Sequence, residues 1–194
     1  CIAVTDHTSL DGARAVEPLA PFMVVIGEEV RSADGEITGL FLEDTVPPGL
    51  TAVETARRIK DQGGVVSIPH PFDRFRRGVI SREALDGVVA YVDIVEVFNS
   101  RNSLDADNRK AREFADEHGL LGSAVSDAHL PFELGRTYVE MPEFDGTPAG
   151  FLEALAQGRI VADGGKELAL ALEEKGYAML GLKDADLAER ETAA

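Results

Sequence analysis

Short apolar runs recur along this chain, and between them the apolar positions fall three and four residues apart. Residues 2–5, 22–26, 36–42, 65–68, 93–98, 123–126 and 136–141 read as strands on that pattern. Helices are expected over 11–19, from Thr51 to about Gln62, over 81–89, over 105–118 and from Thr147-Pro148 to about Gln157. Local signals mark several ends. Thr51 and Glu54 have capping-box spacing, Gly63-Gly64 and Gly119 stop helices, and Pro148 suits a first helical position. Val53, Ala56 and Ile59 form the expected buried stripe of the second helix. Strands alternating with helices imply a parallel α/β arrangement, in which ligands collect at the carboxyl ends of the strands.

With 194 residues, 44% of them hydrophobic, the chain is long enough for one domain with a full core. It contains no apolar run near the ~18 residues of a membrane span. A single cysteine, Cys1, excludes an internal disulfide framework and a thiolate metal cluster, and it favours a cytoplasmic setting. The net charge of −16 argues against an extended nucleic-acid surface. Charge is uneven, however: Arg57 to Arg112 holds 11 basic against 8 acidic residues, a balance of +3, so the remainder carries −19. The basic middle therefore calls for an explanation.

Three of the four histidines fall just past apolar runs, in Thr5-Asp6-His7, Ile68-Pro69-His70 and Ser126-Asp127-Ala128-His129. Glu29 and Asn99 follow two further runs, so one rule places six polar groups on one rim. Nitrogen and oxygen donors without sulfur suit Zn²⁺, Mn²⁺ or Fe²⁺. Such an ion lowers the pKa of bound water and yields a hydroxide nucleophile near neutral pH. The loop after His70 carries Arg74, Arg76 and Arg77, guanidinium forks matched to phosphate oxygens. Asp6 reads as an orienter of a neighbouring ligand rather than a ligand. His118 reads as structural at a helix end, Glu28 as surface charge, and Glu96 as facing away from Val97.

In order, Ala3-Val4-Thr5-Asp6-His7, Gly27-Glu28-Glu29-Val30, Pro69-His70-Pro71-Phe72, Val95-Glu96-Val97-Phe98-Asn99-Ser100-Arg101 and Ser126-Asp127-Ala128-His129 resemble the PHP (polymerase and histidinol phosphatase) domain family. The resemblance runs from about Ile2 to Val161, and its nearest subgroup comprises small metal-dependent phosphoesterases. It implies a distorted (β/α)7 TIM-like barrel, here missing its first strand, with two to three Mn, Zn or Fe ions at the strand ends of the complete protein. It implies metal ligation by His7, Glu29, His70, Asp127 and His129, with His70, Asp127 and His129 also catalytic. Asp6 and Asn99 would support the ligands. Arg74, Arg77 and Arg101 are the expected phosphate contacts, from charge and location.

Two departures qualify the resemblance. The family's opening His-x-His strand does not occur within the chain, and Thr38 stands where many members place a histidine. Weak or no turnover is therefore expected of the chain as given. The domain is expected over 1–163, with a linker and helical tail over 164–194. The expected activity is hydrolysis of a phosphoester in a nucleotide, a nucleoside bisphosphate or a short RNA end, with no membrane partner. The alternative is a non-catalytic binding or structural domain with an incomplete metal cluster.

Overall fold

The computed structural model describes residues 1–161; the expected tail over 164–194 lies outside the described residues. Six strands form one sheet in chain order: β1 (Ile2–His7), β2 (Val24–Ser32), β3 (Gly35–Leu40), β4 (Val65–Ile68), β5 (Ile94–Asn99) and β6 (Leu121–Val125). A second, two-stranded sheet pairs β7 (Tyr138–Glu140) with β8 (Arg159–Val161). Five α-helices accompany them: α1 (Asp11–Val16), α2 (Ala52–Asp61), α3 (Arg82–Val88), α4 (Asp105–His118) and α5 (Pro148–Ala156). The result is a mixed α/β fold with a curled half-barrel sheet.

A wholly parallel sheet was expected, and the central strand departs from it. β3 runs antiparallel to both β2 and β4, while β1–β2, β4–β5 and β5–β6 are parallel. The cause is local. Ser32 pairs with Gly35, so only Ala33 and Asp34 connect β2 to β3, and a two-residue link joins only antiparallel neighbours.

Register separates the two faces of the sheet. Val30, Ile37, Val66, Ile68, Val95 and Val97 form one core with Ala56 and Ile59 of α2, Leu85 and Val88 of α3, and Ala111 and Phe114 of α4. Val25, Leu40, Val65 and Ile94, on the opposite face, pack against Leu155 of α5. Two residues further along the same face, each of these strands changes character: Gly27 and then Glu29 follow Val25, Thr38 stands beside Leu40, Ser67 follows Val65 and Glu96 follows Ile94. The inner face is thus apolar where α5 closes it and polar at the other end. That boundary places the candidate site.

The helix ends follow their local signals. Thr51 Oγ1 accepts from the Glu54 amide at 3.3 Å, and Glu54 Oε2 accepts from the Thr51 amide at 3.1 Å. Gly119 closes α4 at φ 65°. Thr147 caps α5 by accepting from the Gly150 amide at 3.0 Å.

Candidate metal centre

His7 ends β1 directly opposite Glu29 of β2, and its Nδ1 lies 3.1 Å from Glu29 Oε1. Glu29 sits within β2, three residues before its end, rather than beyond a strand as the rim pattern suggested. It reaches the site because β2 continues into the hairpin. His70 arrives from the loop after β4, almost completely buried, with Nε2 3.7 Å from Glu29 Oε2 and 3.6 Å from Glu36 Oε2. Glu36 belongs to β3, two residues from Thr38 on the same face, and Thr38 lies directly across from Glu29. One ligand atom each from His7, Glu29 and Glu36 falls within 4.8 Å of the others.

His70 carries the chemical argument. Both of its ring nitrogens are buried and without a hydrogen-bond partner. Leaving two buried polar atoms unpaired costs ~1–3 kcal/mol each unless something else satisfies them. The 3.6–3.7 Å spacing to two carboxylates is too long for good hydrogen bonds. It is close to the ~3.4 Å separating neighbouring ligands bound at ~2.1 Å around a tetrahedral ion. The donor set therefore fits a divalent cation. His70 also holds φ 30° before a proline, where an extended backbone is preferred, and Asp127 holds φ 50°. Such conformations cost ~1–3 kcal/mol and cluster at functional sites.

Carboxylate chemistry continues along the inner face. Glu96 Oε2 accepts from the His70 amide at 2.9 Å and from Asn99 Nδ2 at 3.0 Å. Burial pushes the Glu96 carboxyl up to about 7. Burial disfavours the charged form of His70, but the Glu29 and Glu96 carboxylates outweigh it and hold the imidazole above its ordinary value. Asn99 Nδ2 also donates to Asp127 Oδ2 at 3.1 Å, so one amide joins Glu96 to Asp127. His129 Nδ1 lies 3.0 Å from the Asp127 carbonyl and 3.6 Å from Asp127 Oδ1.

The expected residues therefore divide into two groups. His7, Glu29 and His70 come together with Glu36, while His129, Asn99 and Arg76 form a neighbouring group around Asp127. The two groups meet at a cleft of about 850 Å³ lined by His7, Glu29, Glu36, Asp73, Arg76 and His129, among others. Asp6 faces the other side of β1, against α1, where a Cβ on Gly12 would strike its carboxylate; no described hydrogen bond joins it to His7.

Of the expected phosphate contacts, Arg77 and Arg101 line the cleft. Arg101 is held by both carboxylate oxygens of Glu133 at 3.1 and 3.0 Å. Arg74 is turned to Asp107, 2.8 Å from Nη2 to Oδ1. His118 packs against Phe114, the rings tilted by 49° with centroids 4.4 Å apart, in keeping with a structural role. Glu28, read as surface charge, is fully buried and accepts from the Val46 amide at 3.0 Å.

Glu36, Asp73 and Glu133 were not singled out from sequence; Arg76 was named only as part of the arginine loop, and Glu96 only as facing away from Val97. Glu36 was within reach, because the two-residue turn sets a register that places Glu36, Thr38 and Leu40 on the face of Glu29. Glu96 was correctly assigned to the face opposite Val97, but that face is the one bearing the site.

Residues 105–160 match a family model described as PHP-associated. An uncharacterized protein of Methanocaldococcus jannaschii is 34% identical over 162 residues, which is 79% of this chain and 65% of that protein. The chain thus spans less than two thirds of this curated relative. Two solved structures share the fold. A two-domain protein from Bacteroides vulgatus ATCC 8482, containing a predicted PHP-like metal-dependent phosphoesterase, has a TM-score of 0.62 and 19% identity, covering 83% of this chain and 55% of that one. PsfC from Pseudomonas syringae PB-5123 has a TM-score of 0.63 and 18% identity, covering 92% and 83%.

Proposed function

We propose a function for this chain from the premise that it belongs to the PHP domain family: metal-dependent hydrolysis of phosphoesters. The substrate class is a nucleotide, a nucleoside bisphosphate or a short RNA end. The curled sheet is read as part of a distorted (β/α)7 barrel within a domain over 1–163. One observation carries the reading. A buried histidine with two unpartnered ring nitrogens faces two carboxylates at ligand spacing.

His7, Glu29, Glu36 and His70 would hold the ion, Mn²⁺, Zn²⁺ or Fe²⁺. A divalent ion bound there supplies Lewis acidity and a water of lowered pKa. The chain's own residues do the rest. Arg77 and Arg101, on the cleft wall, bind the anionic oxygens of the substrate. Asn99 ties Glu96 to Asp127 and fixes the orientation of both. His129, exposed at the cleft, would deliver a proton to the leaving alcohol.

A second reading is binding without turnover. It is favoured by the carboxylate partners of two expected phosphate arginines, Asp107 for Arg74 and Glu133 for Arg101. Phosphate release from nucleoside monophosphates and bisphosphates, measured with Mn²⁺ and with EDTA, separates the two. Metal-dependent release, lost in His70→Asn together with bound metal, is the expected result. Nucleotide binding without release in any metal would favour the binding domain.

A further inference from the structure

We infer that the two ends of this cluster are neutralised by different cations: a divalent ion among His7, Glu29, Glu36 and His70, and the guanidinium of Arg76 at Asp127. The inference rests on the metal reading above and specifies how many ions the site takes.

Arg76 is mostly buried. Its Nη2 lies 2.6 Å from Asp127 Oδ2, and its Nε lies 3.4 Å from Asp73 Oδ2. Asp73 is itself only 5% exposed, so the guanidinium sits between two carboxylates with little access to water. Its position is built by the backbone. The Asp73 amide donates to the His70 carbonyl at 3.1 Å, the Phe75 amide to Asp73 Oδ1 at 3.0 Å, and the Arg76 amide to the Asp73 carbonyl at 3.3 Å. This turn starts at His70, so the charge is held in fixed relation to the proposed ligand.

Asp127 is already engaged. Oδ2 accepts from both Arg76 and Asn99, and Oδ1 faces His129 Nδ1 at 3.6 Å. A divalent ion could reach the same carboxylate only at Oδ1, and would share it with the permanent positive charge held on Oδ2. Guanidinium stays charged at every working pH and carries five N–H donors. The two nitrogens engaged by Asp127 and Asp73 leave donors over for a phosphate oxygen in the cleft that Arg76 lines. Charge is thereby supplied at the Asp127 end without a second ion.

The test is Mn²⁺ stoichiometry on the full chain, by titration calorimetry and native mass spectrometry, with circular dichroism to verify folding. The expected result is about one Mn²⁺ per chain in the unaltered protein, as for other single-ion hydrolytic sites. Asp127→Asn should leave that affinity within about threefold. Arg76→Gln should take up a second, weaker ion, and Arg76→Gln combined with Asp127→Asn should lose it again. Arg76→Lys, which keeps the charge, should stay at one ion. Two ions in the unaltered protein, one of them lost in Asp127→Asn, would overturn the inference and leave the metal reading standing. So would an Arg76→Gln variant that folds and still binds one. No Mn²⁺ in any variant would overturn both.

Discussion

His70 and Glu96 define the chemistry at the scale of single residues, and each pushes against ordinary behaviour. The backbone amide of one donates to the carboxylate of the other, and Glu96 is held at about 7 by burial. The sign of its effect on stability follows from that direction. A carboxyl whose folded pKa lies above its ordinary 4.5 contributes stability that is fully present below 4.5 and lost as the pH rises towards about 7. In metal-free protein, with EDTA present, Glu96→Gln should therefore flatten the pH dependence of unfolding between those values. At pH 8 the variant should be the more stable, by up to a few kcal/mol, since each pKa unit corresponds to about 1.4 kcal/mol. Urea titrations at pH 4.5 and 8 decide it; parallel pH dependences in the two proteins would remove Glu96 as the source. The sequence marks His70 as a candidate because it follows an apolar run. It does not mark Glu96 in the same way, because a carboxylate on an alternating strand is ordinarily a solvated face. Only the curl of the sheet turns that face inward.

Among the elements, the β2–β3 hairpin and the loop after His70 interlock. The Glu36 amide donates to the Gly78 carbonyl at 2.7 Å, and a Cβ built on Gly78 would strike the Glu36 carboxylate. The atoms struck are the far end of a side chain, so the carboxylate would move rather than the backbone. Gly78→Ala should therefore act mainly on the metal site. A loss of Mn²⁺ affinity of about 10–100-fold is expected, as for other residues that orient ligands, with a change in stability of about 1 kcal/mol or less. Calorimetry against thermal unfolding separates the two; a fall in stability without a fall in affinity would show that Gly78 serves the loop alone. Helix boundaries here were legible because caps are local chemistry: Thr51, Glu54, Gly119 and Thr147 act within a few residues of themselves. The reversed direction of β3 was less so. Ala33-Asp34-Gly35 announces a turn, but its two-residue length emerges only once β2 is seen to run on through Glu28 and Glu29 to Ser32. The three-residue strand β8 carries too little periodicity to be read from sequence.

Across the whole molecule, the alternation of strands and helices was readable because the sheet packs helices on one face, and that face demands a continuous apolar core. The inner face was harder to anticipate, because its two halves obey opposite rules: apolar beside α5, polar at the cleft. The same division shapes the electrostatics. A chain of net charge −16 repels anions over most of its surface, yet Arg31, Arg76, Arg77 and Arg101 line one cleft. Arg77 has no carboxylate partner among the described ion pairs, whereas Arg31 and Arg101 each have one and Arg76 has two. Its charge is therefore the one most available to an incoming phosphate. An exposed guanidinium acts through water, so its contribution must weaken as the Debye length shrinks from about 10 Å at 0.1 M salt to about 3 Å at 1 M. Arg77→Gln should weaken binding of a nucleoside bisphosphate by roughly 10-fold at low salt, the scale of one charge-assisted hydrogen bond. The difference from the unaltered protein should shrink as salt is added. Binding isotherms across ionic strength measure both effects. A loss that stayed constant from low to high salt would mean that Arg77 acts by packing rather than by charge, and the attraction of phosphate into an acidic protein would need another source.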